Sequence, residues 1–415
     1  MSSIESCFPK RGEMVSIIQR HVQPVRRTEI VPFYLAGGCV CAEDIFSANI
    51  LPNTPVSRFD GIAVRYDDFE KGPPDTSGWI LGKEYEYSNT GIAMPNGYDT
   101  VIAIEDVRIW ANGIEIHEQP EHRGEMVNAI GENMKAGEKL ISHGEIITPG
   151  HVGLLAAGGI VEISVFSKPR VGIIPTGDEL VAPTNQVPTG KNVESNSYMI
   201  AAYLAGWGAE PTRYPIVRDE PTSITAAIEK AMAENDAAII IAGSSLGTKD
   251  YTIRVLREMG AVIVPELAHG PGRKSSFSMV DTKPVLGIAG PPLGAQITCD
   301  LYLAPFVSAL RGIPYVKLQK LTVISDDAYR VHEVDFCERA HIYRAADGYH
   351  IRSAFAPKST RAQMQAMANG NFYRVAGTSC RPGEQTVVEL LCPIEFIPDY
   401  DKLPDILRED VQTCE

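Results

Sequence analysis

The chain has 415 residues, of which 44% are hydrophobic and 22% charged, a globular composition long enough for two to four domains. Its formal net charge of -14 argues against general nucleic-acid binding, which needs a basic surface. No apolar run reaches the ~18 residues of a membrane span, and the polar start predicts no signal peptide, so we expect a cytoplasmic protein without a membrane partner.

The cysteines and histidines show no metal-binding spacing. The eight cysteines contain no C-x-x-C pair, and the nine histidines contain no H-x-H or H-E-x-x-H pattern. Cys39 and Cys41 are separated by one residue, which places them on the same face of a predicted strand. We interpret the cysteines as reduced structural thiols rather than as zinc ligands or disulfides.

The first 168 residues divide into three predicted segments. Residues 1–50 hold one helix and the short apolar stretch GGCVCAEDI. Residues 51–136 are rich in glycine, proline and short strand patterns such as GIAVRY, which indicates a small β-rich unit. Residues 137–168 return to a strand–helix–strand pattern, and we expect them to pack with residues 1–50, so that 51–136 is an inserted domain.

The rest of the chain changes from alternating elements to strands alone. Residues 169–312 alternate strand and helix patterns, which predicts a parallel sheet with helices on both faces and ligands beyond the carboxyl ends of its strands. Residues 313–398 predict a small β-barrel, with a short helix in the stretch TRAQMQAMANG, and residues 399–415 form a tail.

Three strands of the predicted sheet end in small or polar residues. These ends are PTGDEL (175–180), AGSSLGTKD (242–250) and AGPPLGA (289–295). Right-handed connections would bring all three to one edge of the sheet. A fourth stretch, NVESNSYM (192–199), places Ser195 or Asn196 at a helix N-cap, followed by backbone N–H groups that the helix does not use.

These turns supply the groups that hold an anion and a metal. Backbone donors and hydroxyls hold an oxyanion, and carboxylates hold Mg²⁺, which bridges phosphate to protein. We therefore interpret residues 243–247 as an anion site with a metal at Asp250; the alternative is that Asp250 caps the next helix. The candidates at this edge are Asp178, Glu194, Ser195, Asn196, Gly243, Ser244, Ser245, Gly247 and Asp250.

Taken in order, these stretches resemble the MoeA family, the molybdopterin molybdenumtransferases that include the C-terminal domain of gephyrin. The resemblance covers nearly the whole chain. It is carried by SRFDGIAVR (57–65), TGIAMPNGYDTVIAIED (90–106), PTGDELV (175–181), ESNSYMI (194–200), GAEPTRYPIVRDEP (208–221) and GTSCRPGEQTVVELL (377–391).

The resemblance implies an elongated homodimer with a multidomain α/β plus β fold. Its parts would be a stalk (1–50 with 137–168), a β-rich inserted domain (51–136), a molybdopterin-binding α/β/α domain (169–312) and the C-terminal β-barrel. The implied reaction is the insertion of molybdate into adenylylated molybdopterin with release of AMP, dependent on Mg²⁺. A molybdopterin adenylyltransferase-type partner is also implied.

The resemblance places the site in a cleft between the α/β domain of one subunit and the β-rich domain of the other. Asp60, Glu194 and Asp250 would be catalytic, and Asp250 would also bind the metal. Thr90, Gly91 and Glu105 match positions that reach the cleft from the β-rich domain. The remaining binding candidates are Asp178, Ser195, Asn196, Gly243, Ser244, Ser245, Gly247, Arg273, Lys274 and Pro291.

Several loops depart from the family pattern. The turn after the buried strand has Ser244 where the family has a second glycine, and AIGEN (129–133) replaces R-A-G-E-D. The family's K-P-G-K-P becomes GPGRKS (270–275), in which Arg273 and Lys274 lie near the second lysine. In AGPPLGA, Pro291 and Gly294 replace an asparagine and a serine.

Two hypotheses follow from these departures. The first is a working molybdenumtransferase with altered loops. The second is a MoeA-like paralogue that binds a pterin or nucleotide without inserting molybdate. The departures themselves predict weaker molybdate binding than in the family's typical enzymes, and equal binding would remove the main support of the second hypothesis. A scaffold role, as in gephyrin, has no support in the sequence beyond the fold.

Overall fold

The computed structural model describes residues 8–110, 113–242, 251–328, 335–353, 372–375, 380–403 and 408. The chain forms two compact units, one of Thr28–Phe166 and one of Met1–Arg27 together with Ser167–Glu415. The helices are α1 (Arg11–His21), α2 (Pro149–Ala157), α3 (Asn196–Gly206), α4 (Pro221–Glu234), α5 (Tyr251–Met259), α6 (Pro292–Thr298) and α7 (Ala304–Arg311).

Short strands build the Thr28–Phe166 unit. They are β1 (Thr28–Pro32), β2 (Val40–Cys41), β3 (Ile45–Phe46), β4 (Val56–Ser57), β5 (Gly61–Val64), β6 (Glu86–Ser88), β7 (Thr100–Ala103), β8 (Val107–Trp110), β9 (Gly113–Ile116), β10 (Val127–Asn128), β11 (Lys139–Ile141) and β12 (Glu162–Phe166).

The other unit contains the longer strands. They are β13 (Arg170–Pro175), β14 (Leu180–Val181), β15 (Asn192–Val193), β16 (Glu210–Arg213), β17 (Ala237–Ala242), β18 (Ala261–Val264), β19 (His269–Gly270), β20 (Ser276–Val280), β21 (Lys283–Ala289), β22 (Lys320–Ser325), β23 (Asp335–Ala345), β24 (Gly348–Ser353), β25 (Phe372–Val375) and β26 (Gln385–Leu390).

Two separate apolar clusters hold the Thr28–Phe166 unit together. In the first, β12 pairs antiparallel with β1 and β2, β11 pairs with β3, and Leu155 of α2 is buried beneath them. Helix α2 begins after Thr148, whose hydroxyl accepts a hydrogen bond from the His151 N–H. The second cluster lies on the sheet β6-β5-β7 and the hairpin β8–β9, where Ile62 and Ile102 are buried.

Part of the segment 1–50, which was predicted for the stalk, packs in the larger unit. Met14, Ile18 and Val22 of the N-terminal segment are buried in the core that also contains the α/β sheet. The apolar face of helix α1 therefore belongs to the larger unit, and only the chain from Thr28 onward joins the β1–β12 cluster. The finer boundaries of the predicted domains stay a prediction.

The larger unit is built on a six-stranded sheet with the order β16-β13-β17-β21-β20-β18. Strands β16, β13, β17 and β21 are parallel, as predicted. One buried cluster, with Ile200 of α3 and Phe306 of α7, covers one face, and a second, with Ile228 of α4, covers the other. Strand β20 is antiparallel to β21 because a two-residue turn joins them, and sequence reasoning missed this strand.

A continuous helical run, Pro292–Arg311, is made of α6, the π-helical turn Cys299–Leu303 and α7. Its length and mean hydropathy of 1.3 would suit a membrane span, but 78% of it is buried inside the protein. Tyr302 and Phe306 of this run are fully buried against the sheet. It is therefore the core helix of this unit.

The C-terminal strands pair in the order β23-β24-β22-β26-β25, and β25 also pairs with β23. Residues 354–371 and 376–379, including the predicted helix in TRAQMQAMANG, lie outside the described residues. The barrel itself stays a prediction. Arg339 of β23 joins this section to the core helix through a buried ion pair with Asp300, 2.8 Å from Nε to Oδ2.

Candidate functional site

The structure brings the three predicted strand ends to one edge. Strand β17 lies between β13 and β21, with Pro175 beside Ile241 and Ala242 beside Ala289 in parallel register. The carboxyl ends of these three strands therefore lie side by side. This is the edge where parallel α/β sheets bind ligands.

A cavity of about 470 Å³ opens at this edge. Of the predicted site residues, it includes Glu194, Ser195, Asn196 and Pro291. Sequence reasoning missed the others, although PTGDEL had already marked three of them. They are Thr176, Glu179, Leu180, Asn192, Val193, Ile241, Gly290 and Pro292.

Glu194 lines the cavity, but its carboxylate caps the start of helix α3. Its carboxylate accepts hydrogen bonds from the Ser197 N–H (2.8 Å) and the Ser197 hydroxyl (2.6 Å). The Ser197 hydroxyl also accepts a bond from Arg213 Nε (3.0 Å), whose guanidinium lies over the Tyr198 ring. The geometry therefore gives this buried carboxylate a structural task at the start of α3.

Ser195 and Asn196 differ in their surroundings. Ser195 is the N-cap residue of α3, is exposed, and makes no capping bond through its side chain, so its hydroxyl is available to a ligand. The buried Asn196 instead donates from Nδ2 to the Gly290 carbonyl (2.8 Å). This bond ties the start of α3 to the loop after β21 across the cavity.

The loop after β21 offers few donors. Pro291 is the N-cap of α6 and Pro292 is its first residue, and neither has a backbone N–H. The neighbouring GPGRKS loop packs tightly on this helix, since a Cβ at Gly294 would lie 3.1 Å from the Gly272 nitrogen. The wall formed by the two prolines is therefore poor in hydrogen-bond donors.

Arg273 and Lys274 are not directed into the cavity. Both pair with the same carboxylate, Glu266, through Arg273 Nε (3.3 Å) and Lys274 Nζ (2.5 Å). Neither is among the residues that line the cavity. The suggestion that they replace the family's lysine has no support in this arrangement.

Asp178 lies at the rim with two further carboxylates. Its side chain is exposed and lies 3.8 Å from Arg218 Nε. Burial raises the pKa of the nearby Asp219 carboxyl, and the negative charges of Glu179 and Asp178 raise it further. The rim is therefore locally negative.

Asp60, Thr90, Gly91 and Glu105 lie close together in the Thr28–Phe166 unit. The Thr90 N–H donates to Asp60 Oδ1 (2.7 Å), and hydrogen bonds from Thr90 lower the pKa of the Asp60 carboxyl. The Ile104 N–H donates to the Asp60 carbonyl (2.9 Å), which brings the exposed Glu105 to the same end of the sheet. Gly91 follows with a φ of 76°, in the region that favours glycine.

The remaining candidates fall outside the described residues. These are Gly243, Ser244, Ser245, Gly247 and Asp250. Within the part of the chain that the structure describes, no group of three or more His, Cys, Asp or Glu is arranged to hold a metal ion.

The fold is that of an α/β protein with a cavity at the carboxyl edge of a largely parallel sheet, which is where such sheets bind ligands. Residues 11–159 match the family model described as "MoeA N-terminal region (domain I and II)". Residues 172–309, which contain the cavity, match the model described as "Probable molybdopterin binding domain".

Relatives agree with these models. A molybdopterin molybdenumtransferase of Nostoc sp. is 31% identical over 69% of this chain and 70% of that protein. Another, of Haemophilus influenzae, is 28% identical over 69% of this chain and 74% of that protein. The structure of the molybdopterin biosynthesis MoeA protein of Pyrococcus horikoshii matches with a TM-score of 0.73 and 25% identity, over 93% of this chain and 100% of that one. The chain belongs to the MoeA family, and thus to molybdenum cofactor biosynthesis.

Proposed function

We propose that this protein is a cytoplasmic molybdopterin molybdenumtransferase, which inserts molybdate into adenylylated molybdopterin and releases AMP. In this reaction water cleaves the anhydride bond between the molybdopterin phosphate and the adenylate. The two dithiolene sulfurs bind molybdenum in place of one molybdate oxygen, which leaves as water with the two thiol protons. The substrate would come from an adenylyltransferase-type partner. The names of the relatives and the position of the cavity support the proposal.

The observation that supports the proposal most directly is the cavity between the PTGDEL turn, the start of α3 and the loop after β21. The first N–H groups of α3 and the exposed Ser195 hydroxyl would hold an anionic group of the substrate. Asn196 would keep the two loops at a fixed spacing through its bond to Gly290. Catalysis of this kind is mostly positioning and electrostatic stabilisation.

Mg²⁺ dependence is part of the proposal, with Asp250 as the metal ligand. Bound Mg²⁺ would offset the charge of the phosphates. The described residues do not form a metal site by themselves, so no step is assigned to the ion.

A homodimer is also part of the proposal. Ile30, Tyr34, Leu35 and Val161 are each more than 60% exposed in the Thr28–Phe166 unit. They lie near one another, because β1 pairs with β12 and the Phe33 N–H donates to the Val161 carbonyl (3.0 Å). Large apolar side chains grouped on a surface favour burial against another protein surface. In a dimer, the Asp60 cluster of one subunit would complete the cavity of the other.

The second candidate is a paralogue that binds a pterin or nucleotide without inserting molybdate. The observation that favours it is the donor-poor wall at Pro291 and Pro292, together with the pairing of Arg273 and Lys274 with Glu266. A ligand would lose oxyanion contacts there and retain those at α3.

The test is a single-turnover assay of the purified full chain. Adenylylated molybdopterin, molybdate and Mg²⁺ are supplied, and AMP and molybdenum cofactor are measured separately. AMP and cofactor formed together support the transferase. Ligand binding without cofactor formation would overturn it in favour of the paralogue.

A further inference from the structure

Among the residues that the structure describes, those that line the cavity include no cation. Among the described residues that line it, Glu179 and Glu194 are the charged ones, and both are acidic. Asp178 and Asp219 add negative charge at the rim. An oxyanion or phosphate would be repelled by this field unless a nearby cation offset it.

Most of the nearby cations are already neutralised by carboxylates. Arg273 and Lys274 share Glu266, and Arg218 lies beside both Asp178 (3.8 Å) and Glu220 (3.3 Å). Arg213 is held by the Ser197 hydroxyl and the Tyr198 ring at the start of α3. These contacts leave little of their charge for a ligand.

Lys191 is different. Its ammonium donates to the backbone carbonyl of Asp178 (2.7 Å), a neutral partner, and within the described residues it makes no salt bridge. That carbonyl immediately precedes Glu179 in the cavity wall, and Lys191 itself immediately precedes Asn192, which also lines the cavity. Lys191 is therefore an exposed residue beside the cavity wall, and among the described residues its ammonium forms no salt bridge.

The backbone holds Lys191 in this position. A turn closes from the Lys191 N–H to the Pro188 carbonyl (3.1 Å), with Gly190 at a φ of 79°. The following residues pair in parallel with the PTGDEL turn, through Asn192 N–H to Glu179 carbonyl (2.9 Å) and Glu194 N–H to Val181 carbonyl (2.8 Å). The lysine stem thus starts from a wall of the cavity, and only its flexible end must move to reach a ligand.

We propose that Lys191 is the cation that binds the oxyanion or phosphate of the ligand, leaving the Asp178 carbonyl when the ligand enters. The inference rests on the proposed function only in taking the ligand to be anionic. In this role Lys191 helps to determine which ligand binds. It supplies a positive charge in place of the family's lysine, which the GPGRKS loop lacks.

The experiment titrates the full chain with molybdate and, separately, with inorganic phosphate, by calorimetry at low salt. Lys191→Ala should weaken binding about ten- to a hundredfold, as expected for loss of a charge-assisted hydrogen bond. Lys191→Arg keeps the charge and should stay within a few-fold of wild type. Lys168→Ala is the matched control, because Lys168 is exposed just before β13, at the opposite end of that strand.

A thermal unfolding scan of each variant separates binding from structure. Weaker binding in Lys191→Ala with an unchanged unfolding temperature supports the inference, as does rescue by Lys191→Arg. Equal binding by Lys191→Ala and wild type would overturn it, and so would a wild-type protein that binds neither anion. The turnover assay with adenylylated molybdopterin tests the proposed function separately, whatever the binding results for the Lys191 variants.

Discussion

At the scale of single residues, the loop after β21 decides which anion contacts are available. Pro291 and Pro292 follow each other at the start of α6, so two N–H groups that other residues would offer are missing. Each missing charge-assisted hydrogen bond typically costs ~1.5–3 kcal/mol of binding free energy. Pro291 is therefore the replacement with the clearest physical consequence.

We predict that Pro291→Asn binds molybdate more tightly than wild type, by about tenfold, because it restores an N–H and adds an amide donor. Calorimetric titration measures the change. Pro149→Asn is the control, since Pro149 also lies at the start of a helix but belongs to the other unit. Unchanged affinity would mean that other contacts already compensate for the proline.

A second residue-scale prediction concerns His350 in the C-terminal strands. Its Nδ1 lies 2.9 Å from Asp326 Oδ1 and its Nε2 lies 2.8 Å from Asp347 Oδ1, so only the protonated ring donates to both. Burial alone would lower the pKa of His350, but the two carboxylates outweigh it and raise the pKa.

Because the folded pKa of His350 lies above the unfolded value, the stabilisation is complete below pH ~6.5 and is lost as pH rises through the folded pKa. Relative to His350→Gln, wild type should lose about 1 kcal/mol or less of unfolding free energy over that interval. Urea unfolding of both proteins between mildly acidic and alkaline pH measures it. A constant difference would contradict the prediction, and His117→Gln, an exposed histidine, is the control.

At the scale of elements, helix α3 is capped by the side chain of Glu194, the residue before its N-cap residue Ser195. Ser195 makes no capping bond, and Glu194 satisfies the Ser197 N–H instead. This arrangement leaves the Ser195 hydroxyl at the cavity while the helix start remains paired. The start of α3 is thus capped without the Ser195 hydroxyl, which lines the cavity.

We predict that Glu194→Ala lowers the free energy of unfolding by about 1–2 kcal/mol, since a buried N–H loses its acceptor. Glu194→Gln should retain most of the stability, because its amide oxygen still accepts from Ser197. Urea denaturation measures both, with Glu229→Ala on the exposed face of α4 as the control. If Glu194→Gln is fully stable yet forms no cofactor, the catalytic assignment of Glu194 is right and the purely structural one is wrong.

At the scale of the whole molecule, the prediction concerns assembly. Ile30 of β1 is 71% exposed, and Val161, the residue before the paired strand β12, is 74% exposed. A glutamate there would place an uncompensated charge in the proposed dimer surface, and burying an unpaired charge is costly. We therefore expect Val161→Glu to convert a dimer into a monomer.

Light scattering coupled to size-exclusion chromatography gives the mass of wild type and variant. Val187→Glu is the matched control, because Val187 is an exposed valine of the other unit. A monomeric wild-type protein at micromolar concentration would contradict the proposal. Cofactor formation by a stable monomer would separately contradict the idea that the Asp60 cluster of a second subunit completes the site.

The sequence alone determined the sheet, the edge of the site and the family. Runs of β-branched residues such as Ile239–Ile241 predict covered parallel strands, and short motifs such as PTGDEL and AGPPLGA mark the strand ends, because both signals are local in the chain. The tertiary structure decided which side chains are available there. Glu194 turned out to cap α3, Arg273 and Lys274 to share Glu266, and Lys191 to reach the Asp178 carbonyl. It also assigned helix α1 to the α/β core. Hydrogen-bond partners, ion pairs and buried faces depend on residues far apart in the chain, and only folding brings these together.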